Sequence, residues 1–511
     1  WVMKGVIALQ ASIGISVWFV QNEPFPAWLL TSLNRFFPVF AETGSATDLQ
    51  RYFLLVTFLG LTGMIFAAVF AVLLVFKKRL DAPIISRKLL LGSYAFLLLS
   101  VTTCVYCTDF LQIGPGQEST IWYGGTEDYV NYRIENSSLS FAEDLQTYGG
   151  FIYGKPYGDE LVVYLSQTGF YTSLLKLSQS ITQLPPADVL RSTRILCSFL
   201  TAALLTAASL KFKKHFGLLS SLIFSALSLV TYWLLGPASH LIWYFPVSFI
   251  PLGISIFLYP KVINGVWTFR RFLWMSLLGY ILVYLRSYDY APVMVLSGAI
   301  PVFFYEINRR ENWKTILWCC IQVCLIGLLG LALVMGVHFI QLSNYLGSTS
   351  QAVDYLVTKA IFRSAGGDTN LQTPLQIFER WLTVRVIYLP PDLFSVFPQW
   401  EEPVSRINTF GHLHRFAFAA TLYAFALLSA CKLSFAKNWL SQPQQNRLLA
   451  LSLTTLASLL ASWSWFPALG HMSHHYHMNG IMYIIPFGLT AYLLFGVLVE
   501  YSFQLLLQPR K

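Results

Sequence analysis

Charged residues are scarce in this sequence. Asp, Glu, Lys and Arg together make up 11% of its 511 residues, whereas hydrophobic residues make up 55%. The mean hydropathy is +0.57. A soluble chain of this length needs a larger charged surface, so the scarcity excludes a soluble globular protein. It predicts an all-α polytopic membrane protein.

Nucleotide-binding motifs are also missing. The sequence has no Walker A loop and no G-x-G-x-x-G ahead of a soluble helix, which argues against an ATP-driven transporter or a cytoplasmic nucleotide-sugar transferase. The net charge is +10, but Lys and Arg fall in short clusters between apolar runs, as orientation signals do. We therefore expect no nucleic-acid partner. The seven cysteines lie mainly within apolar runs, which favours buried small residues over a metal or redox site.

Apolar stretches long enough to cross roughly 30 Å of hydrocarbon number about twelve. We predict one integral-membrane domain over 1–511, and because the chain begins at Trp1 we expect its natural N-terminus to be missing. The predicted spans lie near 4–21, 52–76, 89–111, 192–210, 217–235, 241–259, 272–286, 290–305, 315–340, 414–431, 448–466 and 477–499.

The basic clusters indicate how these spans are oriented. If the spans alternate, the clusters at 77–88, 211–215, 308–314 and 432–439 and the terminal Pro-Arg-Lys all fall on one side. The positive-inside preference makes that side cytoplasmic. We therefore expect a multi-pass protein of the plasma (inner) membrane with a cytoplasmic C-terminus.

Two long connections, 112–190 and 341–412, then lie on the exterior face. The first is rich in acidic residues although the whole chain is basic, and loops of this length are usually functional. Aromatic and Leu residues recur at helical spacing over 164–181, 350–366 and 373–388. This pattern predicts helices that lie at the membrane interface or pack on the rest of the exterior region.

Two acidic pairs in the first exterior loop are candidates for catalysis. Glu127 and Asp128 follow two glycines, and Asp159 and Glu160 repeat the pattern of glycine followed by acids. Either pair suits a general base for a hydroxyl acceptor, and the first also suits a ligand of a divalent cation, Mg²⁺ or Mn²⁺, held against phosphate. The structural alternatives are a solvated loop charge for the first pair and the start of a helix for the second.

Arginines near the exterior face are candidates for phosphate binding. Arg286 and Asp289 lie between two short apolar segments, where a guanidinium fork suits a lipid-linked phosphate. A structural Arg–Asp pair that closes a helical hairpin is the alternative. Arg191 and Arg194 lie at the exterior start of another span, where they bind anionic headgroups or simply extend toward water.

A histidine cluster precedes the last span. In GHMSHHYHMNG, the spacing of His471, His474 and His475 would place the three side chains on one face of a helix, where they could bind zinc or another transition metal. No acidic residue lies nearby, which weakens that interpretation. His474 and His475 better suit binding of phosphate or a polar acceptor, with packing or capping as the alternative.

This layout resembles the GT-C class of integral-membrane glycosyltransferases. The resemblance covers most of the chain as an arrangement of many spans, a long exterior loop, acids soon after a span and basic residues at the exterior surface. It implies a polyprenyl-phosphate-sugar donor, a glycan, lipid or protein acceptor, and surrounding membrane lipids. It also implies that Asp128, beside Glu127, is the base and that Arg286 contacts donor phosphate.

One departure concerns the position of the acids. In the class the acidic motif follows the first span, whereas Glu127 and Asp128 follow the third predicted span, so Glu23, Glu42 and Asp48 stay in reserve. Two other functions stay open. An envelope glycan polymerase or ligase that uses polyprenyl-pyrophosphate substrates would depend on exterior Arg and His, and a secondary transporter or lipid flippase would place charges near the membrane midplane.

Overall fold

The structure is a computed structural model, and all its described residues belong to one compact unit of the chain, residues 123–511. The predicted spans at 4–21, 52–76 and 89–111 lie outside the described residues, as does almost all of the span at 414–431. The structure describes residues 127–136, 153–157, 160–165, 167–229, 245–288, 290–365, 440–465 and 484–507, with single positions at 234, 424–425, 428–429, 431 and 481–482.

Helices dominate this part of the chain, which confirms the helical class. One short antiparallel hairpin, β1 (Tyr153–Tyr157) with β2 (Glu160–Tyr164), is an addition that the sequence did not predict. The α-helices are α1 (Glu127–Asn136), α2 (Phe170–Thr182), α3 (Pro186–Phe216), α4 (Leu218–Leu229), α5 (Ile250–Ile263), α6 (Phe269–Arg286), α7 (Ala291–Asn308), α8 (Trp313–Leu346), α9 (Thr349–Ala365), α10 (Gln442–Trp463) and α11 (Leu489–Leu507).

Five helical stretches among the described residues are long and apolar enough to cross a membrane. The predicted membrane character is therefore confirmed in this coarse sense, and the count of twelve stays a prediction. Helix α6 is not one of the five, because its 18 residues include three arginines. The five stretches are Pro186–Phe216, Pro246–Ile263, Ala291–Asn308, Trp313–Leu346 and Ile484–Gln504.

Helix α8 has the length and the exposed apolar face that suit a membrane-spanning helix. Its 34 residues extend about 51 Å at 1.5 Å per residue, well beyond roughly 30 Å of hydrocarbon. Leu317, Ile321, Leu325 and Leu328 are about half exposed and recur every three or four residues, so they form one face. This face suits acyl chains. The last turns of α8 extend beyond this exposed face, and their polar residues His338 and Gln341 are buried.

Most cations of the described residues gather where helices α3, α5 and α7 end and where α6, α8 and α10 begin. Arg310 Nη2 donates to Asn446 Oδ1 at 2.7 Å, and Arg447 Nη1 donates to the carbonyl oxygen of His215 at 2.6 Å, so these helix ends lie together. We call this region the basic end. It comprises Lys211, Lys213, Lys214, Lys261, Arg270, Arg271, Arg309, Arg310, Lys314 and Arg447.

A carboxylate holds two of these helices together. Glu500 of α11 accepts hydrogen bonds from the backbone N–H groups of Leu219 at 2.8 Å and Ser220 at 3.2 Å. These are N–H groups of the first turn of α4, which lack partners within the helix and favour a negative charge. Gly217 precedes the turn with a φ of 119°, and a Cβ there would meet the Glu500 carboxyl group. The bond therefore fixes α4 against α11.

Close packing in the centre depends on glycine. Gly298 of α7 and Gly327 and Gly330 of α8 all face Tyr280 of α6, which is fully buried. The Tyr280 hydroxyl donates to the carbonyl oxygen of Val295 at 2.9 Å. Small residues let membrane helices approach closely. This contact fixes the end of α6 beside α7 and α8, where the candidate site lies.

Candidate functional site

Arg286 is the last residue of α6, at the end of the helix away from Arg270 and Arg271. Its side chain is only 4% exposed. The guanidinium carbon lies 5.6 Å from the centre of the Tyr290 ring, and that ring lies 4.9 Å from the ring of Trp465. A cation over an aromatic face is stabilised by the ring quadrupole. The turn after α6 and the end of α10 therefore enclose Arg286 from one side.

The segment that leads into α2 is hydrogen-bonded to the end of α6. The Thr168 hydroxyl donates to the carbonyl oxygen of Leu285 at 2.6 Å, and the Tyr171 hydroxyl donates to that of Leu282 at 3.1 Å. The carbonyl group of Leu285 lies in the last turn of α6, where it has no partner within the helix. The two hydroxyls thus join α2 to the end of α6.

Helix α8 joins the same region through two polar side chains. The Tyr288 hydroxyl and His338 Nδ1 share a hydrogen bond of 2.7 Å, and Gln341 Nε2 donates to the carbonyl oxygen of Thr168 at 3.4 Å. His338 is fully buried and Gln341 is 6% exposed. Three elements therefore converge. We define the Arg286 cluster as Thr168, Tyr171, Arg286, Tyr288, His338 and Gln341.

Burial controls the chemistry of this cluster. It raises the pKa of Tyr171 to about 12, although the positive charge of Arg286 acts in the opposite direction. The Tyr171 hydroxyl is therefore protonated at neutral pH and serves as a donor. Arg286 presents a planar fork of donors that matches phosphate oxygens. A cation together with hydrogen-bond donors, at the end of a bundle of membrane helices, can bind an anionic headgroup.

The structure places the first candidate acids one layer away. Glu127 and Asp128 are the first residues of α1, which packs against α2, α3 and the strand hairpin. Gln179 of α2 donates from Nε2 to the carbonyl oxygen of Ile134 at 3.2 Å. Helix α2 therefore contacts both α1 and the Arg286 cluster. Acids at a helix N-terminus also offset its dipole, so a structural role for the pair agrees with this position.

The second acidic pair differs from its expected setting. The alternative of a helix start at Asp159 and Glu160 is wrong, because Glu160 begins strand β2, opposite Tyr157. A glycine followed by acids suits a hairpin turn as well as a helix start, and the pattern here connects the two strands of a hairpin. Asp159 itself lies outside the described residues. Strand β1 packs on α1, so both acid-bearing elements belong to the same layer.

The other candidates divide between described and undescribed positions. Arg191 and Arg194 lie in the first turns of α3, which packs against α1 and α2, and Arg194 is half-buried. Asp289, His474 and His475 lie outside the described residues. Within the described ranges, no three His, Cys, Asp or Glu residues lie together as a ligand set. The divalent cation stays a prediction.

Sequence reasoning missed most of the Arg286 cluster. Only Arg286 was predicted as a site residue, whereas His338 and Gln341 lie inside an apolar helix and Tyr288 contacts them only after folding. One signal was present: an ionisable residue within a membrane helix usually faces the bundle interior. His338 satisfies that rule, since it is fully buried.

No family model, no curated protein and no solved structure matches this chain. The described residues define a class only at a coarse level: a helical protein with five candidate membrane spans. A polar cluster around a buried arginine marks the end of α6 opposite its basic start.

Proposed function

We propose that this protein transfers a sugar from a polyprenyl-phosphate donor to an acceptor at the exterior face of the membrane, in the manner of GT-C glycosyltransferases. The observation that carries the proposal is the position of Arg286. It is 4% exposed in a cluster joined to α2, and α2 packs on the helix that begins with Glu127 and Asp128. The end of the bundle opposite the basic end thus holds a buried arginine suited to phosphate, and the helix that begins with the candidate bases lies one layer away.

The proposed reaction needs no nucleotide, because the donor carries its own leaving group. The acceptor oxygen forms a bond to the anomeric carbon as the bond from that carbon to the phosphate oxygen breaks. The carboxylate of Asp128 or Glu127 takes the acceptor proton, and the polyprenyl phosphate leaves with the electron pair. Arg286 stabilises the charge that develops on the departing phosphate.

The orientation of this proposal follows from the cations. The basic end faces the cytoplasm under the positive-inside preference, so the Arg286 cluster faces the exterior. Helix α11 ends on the same side as Arg447 and Lys214, since Gln504 of α11 and Gln444 of α10 are hydrogen-bonded at 2.9 Å. We therefore infer an inner-membrane protein with a cytoplasmic C-terminus.

The test is a transfer assay on purified protein in lipid nanodiscs. The probes are polyprenyl-phosphate-linked hexoses and pentoses radiolabelled in the sugar, supplied with a membrane extract as acceptor, and the readout is released polyprenyl phosphate together with labelled product. Replacing Glu127 by Gln and Asp128 by Asn should lower turnover more than about 100-fold, the effect of losing a general base. Asp188→Asn is the matched control, since this exposed carboxylate begins the neighbouring helix α3.

Unchanged turnover in the double variant would move the base to Asp159 or Glu160 and overturn the assignment made here. Uptake of the substrate with no labelled product from the wild-type protein would favour a transporter instead. The same assay therefore separates the two classes of function.

A second function, a glycan polymerase or ligase that uses polyprenyl-pyrophosphate substrates, is favoured by one observation. The structure brings a buried histidine, His338, to the end of the bundle that holds Arg286. An enzyme of this kind would depend on Arg286 and His338 rather than on a carboxylate. His338→Gln combined with the acid variants discriminates: the ligase loses activity with the histidine and keeps it without the acids.

A further inference from the structure

An apolar cavity lies among the helices on the cytoplasm-facing half of the molecule. It lies between α3, α4, α5, α7, α10 and α11, and the space free of protein atoms there, including the part open to the surroundings, is about 870 Å³. Phe212 of α3, Phe257 of α5 and Phe304 of α7 contribute aromatic walls, and most of the other lining side chains are aliphatic or aromatic. An apolar cavity does not hold ordered water, because water there finds no partners.

The cavity is elongated along α3. Leu204 and His215 both line it, and they are separated by about 16 Å of helix. Leu204 lies toward the middle of the helix, whereas His215 lies in its last turn. The long axis therefore runs from the basic end into the hydrocarbon region, the direction that an acyl chain of the cytoplasmic leaflet takes.

Cations crowd the mouth of this cavity. Lys211 lies one helical turn before His215, Lys214 is its neighbour in the chain, and Arg447 Nη1 donates to the carbonyl oxygen of His215 at 2.6 Å. Lys261 is close enough for its charge to act on Lys211. In the described part of the chain, the ion pairs of the basic end join Arg309 to acids of its own turn, and none involves these four cations. Like charges held together in this way repel one another, and an anion at their centre relieves the repulsion.

We propose that the cavity binds one tail of an anionic glycerophospholipid, whose phosphate lies against Lys211, Lys214 and Lys261. Charge complementarity selects the headgroup, and the elongated apolar space selects a hydrocarbon tail. Basic pockets between membrane helices on the cytoplasmic side bind anionic headgroups for the same reason. The proposal concerns the other half of the molecule and does not rest on sugar transfer.

The test measures lipid retention by native mass spectrometry, after release of the protein from nanodiscs made of equal amounts of phosphatidylglycerol and phosphatidylcholine. Wild-type protein should retain one phosphatidylglycerol selectively. Lys211→Gln with Lys214→Gln should lower this selectivity by about fivefold for each cation removed. Lys314→Gln, an exposed cation in the first turn of α8, is the matched control and should have no effect.

A second variant tests the tail. Gly253 lines the cavity and has no atom within 4 Å of the position where a Cβ would lie, so Gly253→Leu starts from an open position and occupies part of the cavity. It should abolish selective retention. Gly336→Leu is its matched control, because Gly336 of α8 also has open space but does not line the cavity. If Gly253→Leu fails a size-exclusion check of folding, the more flexible Gly253→Met replaces it.

Three results would overturn the proposal. Equal retention of the two lipids by wild-type protein would remove the headgroup site. If a folded Gly253 variant retains phosphatidylglycerol as well as wild type does, the lipid tail does not bind in the cavity. Displacement of phosphatidylglycerol by an equimolar polyprenyl phosphate would assign the cavity to an isoprenoid instead.

Discussion

The two ends of helix α6 carry arginines in opposite settings. Arg270 and Arg271 at its start are exposed, and Arg271 lies 4.4 Å from the centre of the Trp267 ring. Arg286 at its end is 4% exposed, and its guanidinium carbon lies 5.6 Å from the centre of the Tyr290 ring. An exposed arginine at a membrane surface needs no special function, whereas a buried one is retained at a cost. The comparison is the reason that we propose a chemical task for Arg286 and none for Arg270 and Arg271.

The largest effect is expected at Arg286. Arg286→Met should lower sugar transfer by about 100-fold or more, because a group that stabilises the departing phosphate is lost. Arg286→Lys keeps the charge without the fork and should lose about tenfold. Turnover in the nanodisc assay measures both variants, and thermal unfolding verifies that each is folded.

Arg270→Ala is the control on the same helix, and it should transfer sugar at the wild-type rate. Equal losses at Arg270 and Arg286 would show that the two ends do not differ in function. The two ends of α6 would then differ only in how deeply their arginines are buried.

A loss of stability without loss of chemistry is expected at the basic end. Glu500→Ala leaves the N–H groups of Leu219 and Ser220 without their acceptor, which should lower the free energy of unfolding by about 2 kcal/mol. Thermal unfolding in detergent measures this change. Glu500→Gln keeps an acceptor oxygen and should lose less. The folded fraction of either variant should transfer sugar normally, and a loss of turnover per folded molecule would contradict the separation of the two ends.

A smaller and pH-dependent effect is expected from Tyr171→Phe. At pH 8 the variant loses the hydrogen bond to Leu282 and should be less stable by about 1 kcal/mol. Burial raises the pKa of Tyr171 from 10.0 to about 12, so stability from the protonated hydroxyl is complete below pH 10 and is lost between about pH 10 and pH 12. The gap between wild type and variant should therefore narrow at pH 11.

Unfolding temperatures at pH 8 and pH 11 check this prediction. Tyr345→Phe, at an exposed tyrosine of α8, is the matched control and should show the same small difference at both pH values. A gap for Tyr171→Phe that stays constant or widens at pH 11 would contradict the burial of its hydroxyl.

The periodicity of apolar residues and the polar breaks between apolar segments predicted much of the described fold. The charged break before Ala291 separates α6 from α7 close to the predicted boundary. The helices predicted over 164–181 and 350–366 are observed as α2 and α9. Each of these features depends on local sequence: a run of apolar residues, a polar interruption or an amphipathic period.

The remainder depends on contacts between distant segments. Tyr288 and His338 are 50 positions apart, so no local pattern joins them. The cavity was equally hidden, because apolar residues that face lipid and apolar residues that line a space inside the bundle have the same hydropathy. The hairpin at Glu160 was missed because the same glycine and acid pattern serves turns and helix starts.

The central claim is that the Arg286 end consumes a lipid-linked sugar. Its most direct test is to incubate wild-type protein in nanodiscs with a radiolabelled polyprenyl-phosphate-linked sugar and membrane acceptor, and to quantify released polyprenyl phosphate against labelled product. We predict release and labelling in equal amounts, both lost in the Glu127→Gln, Asp128→Asn double variant. An intact donor after prolonged incubation with the full panel of sugars would contradict the account.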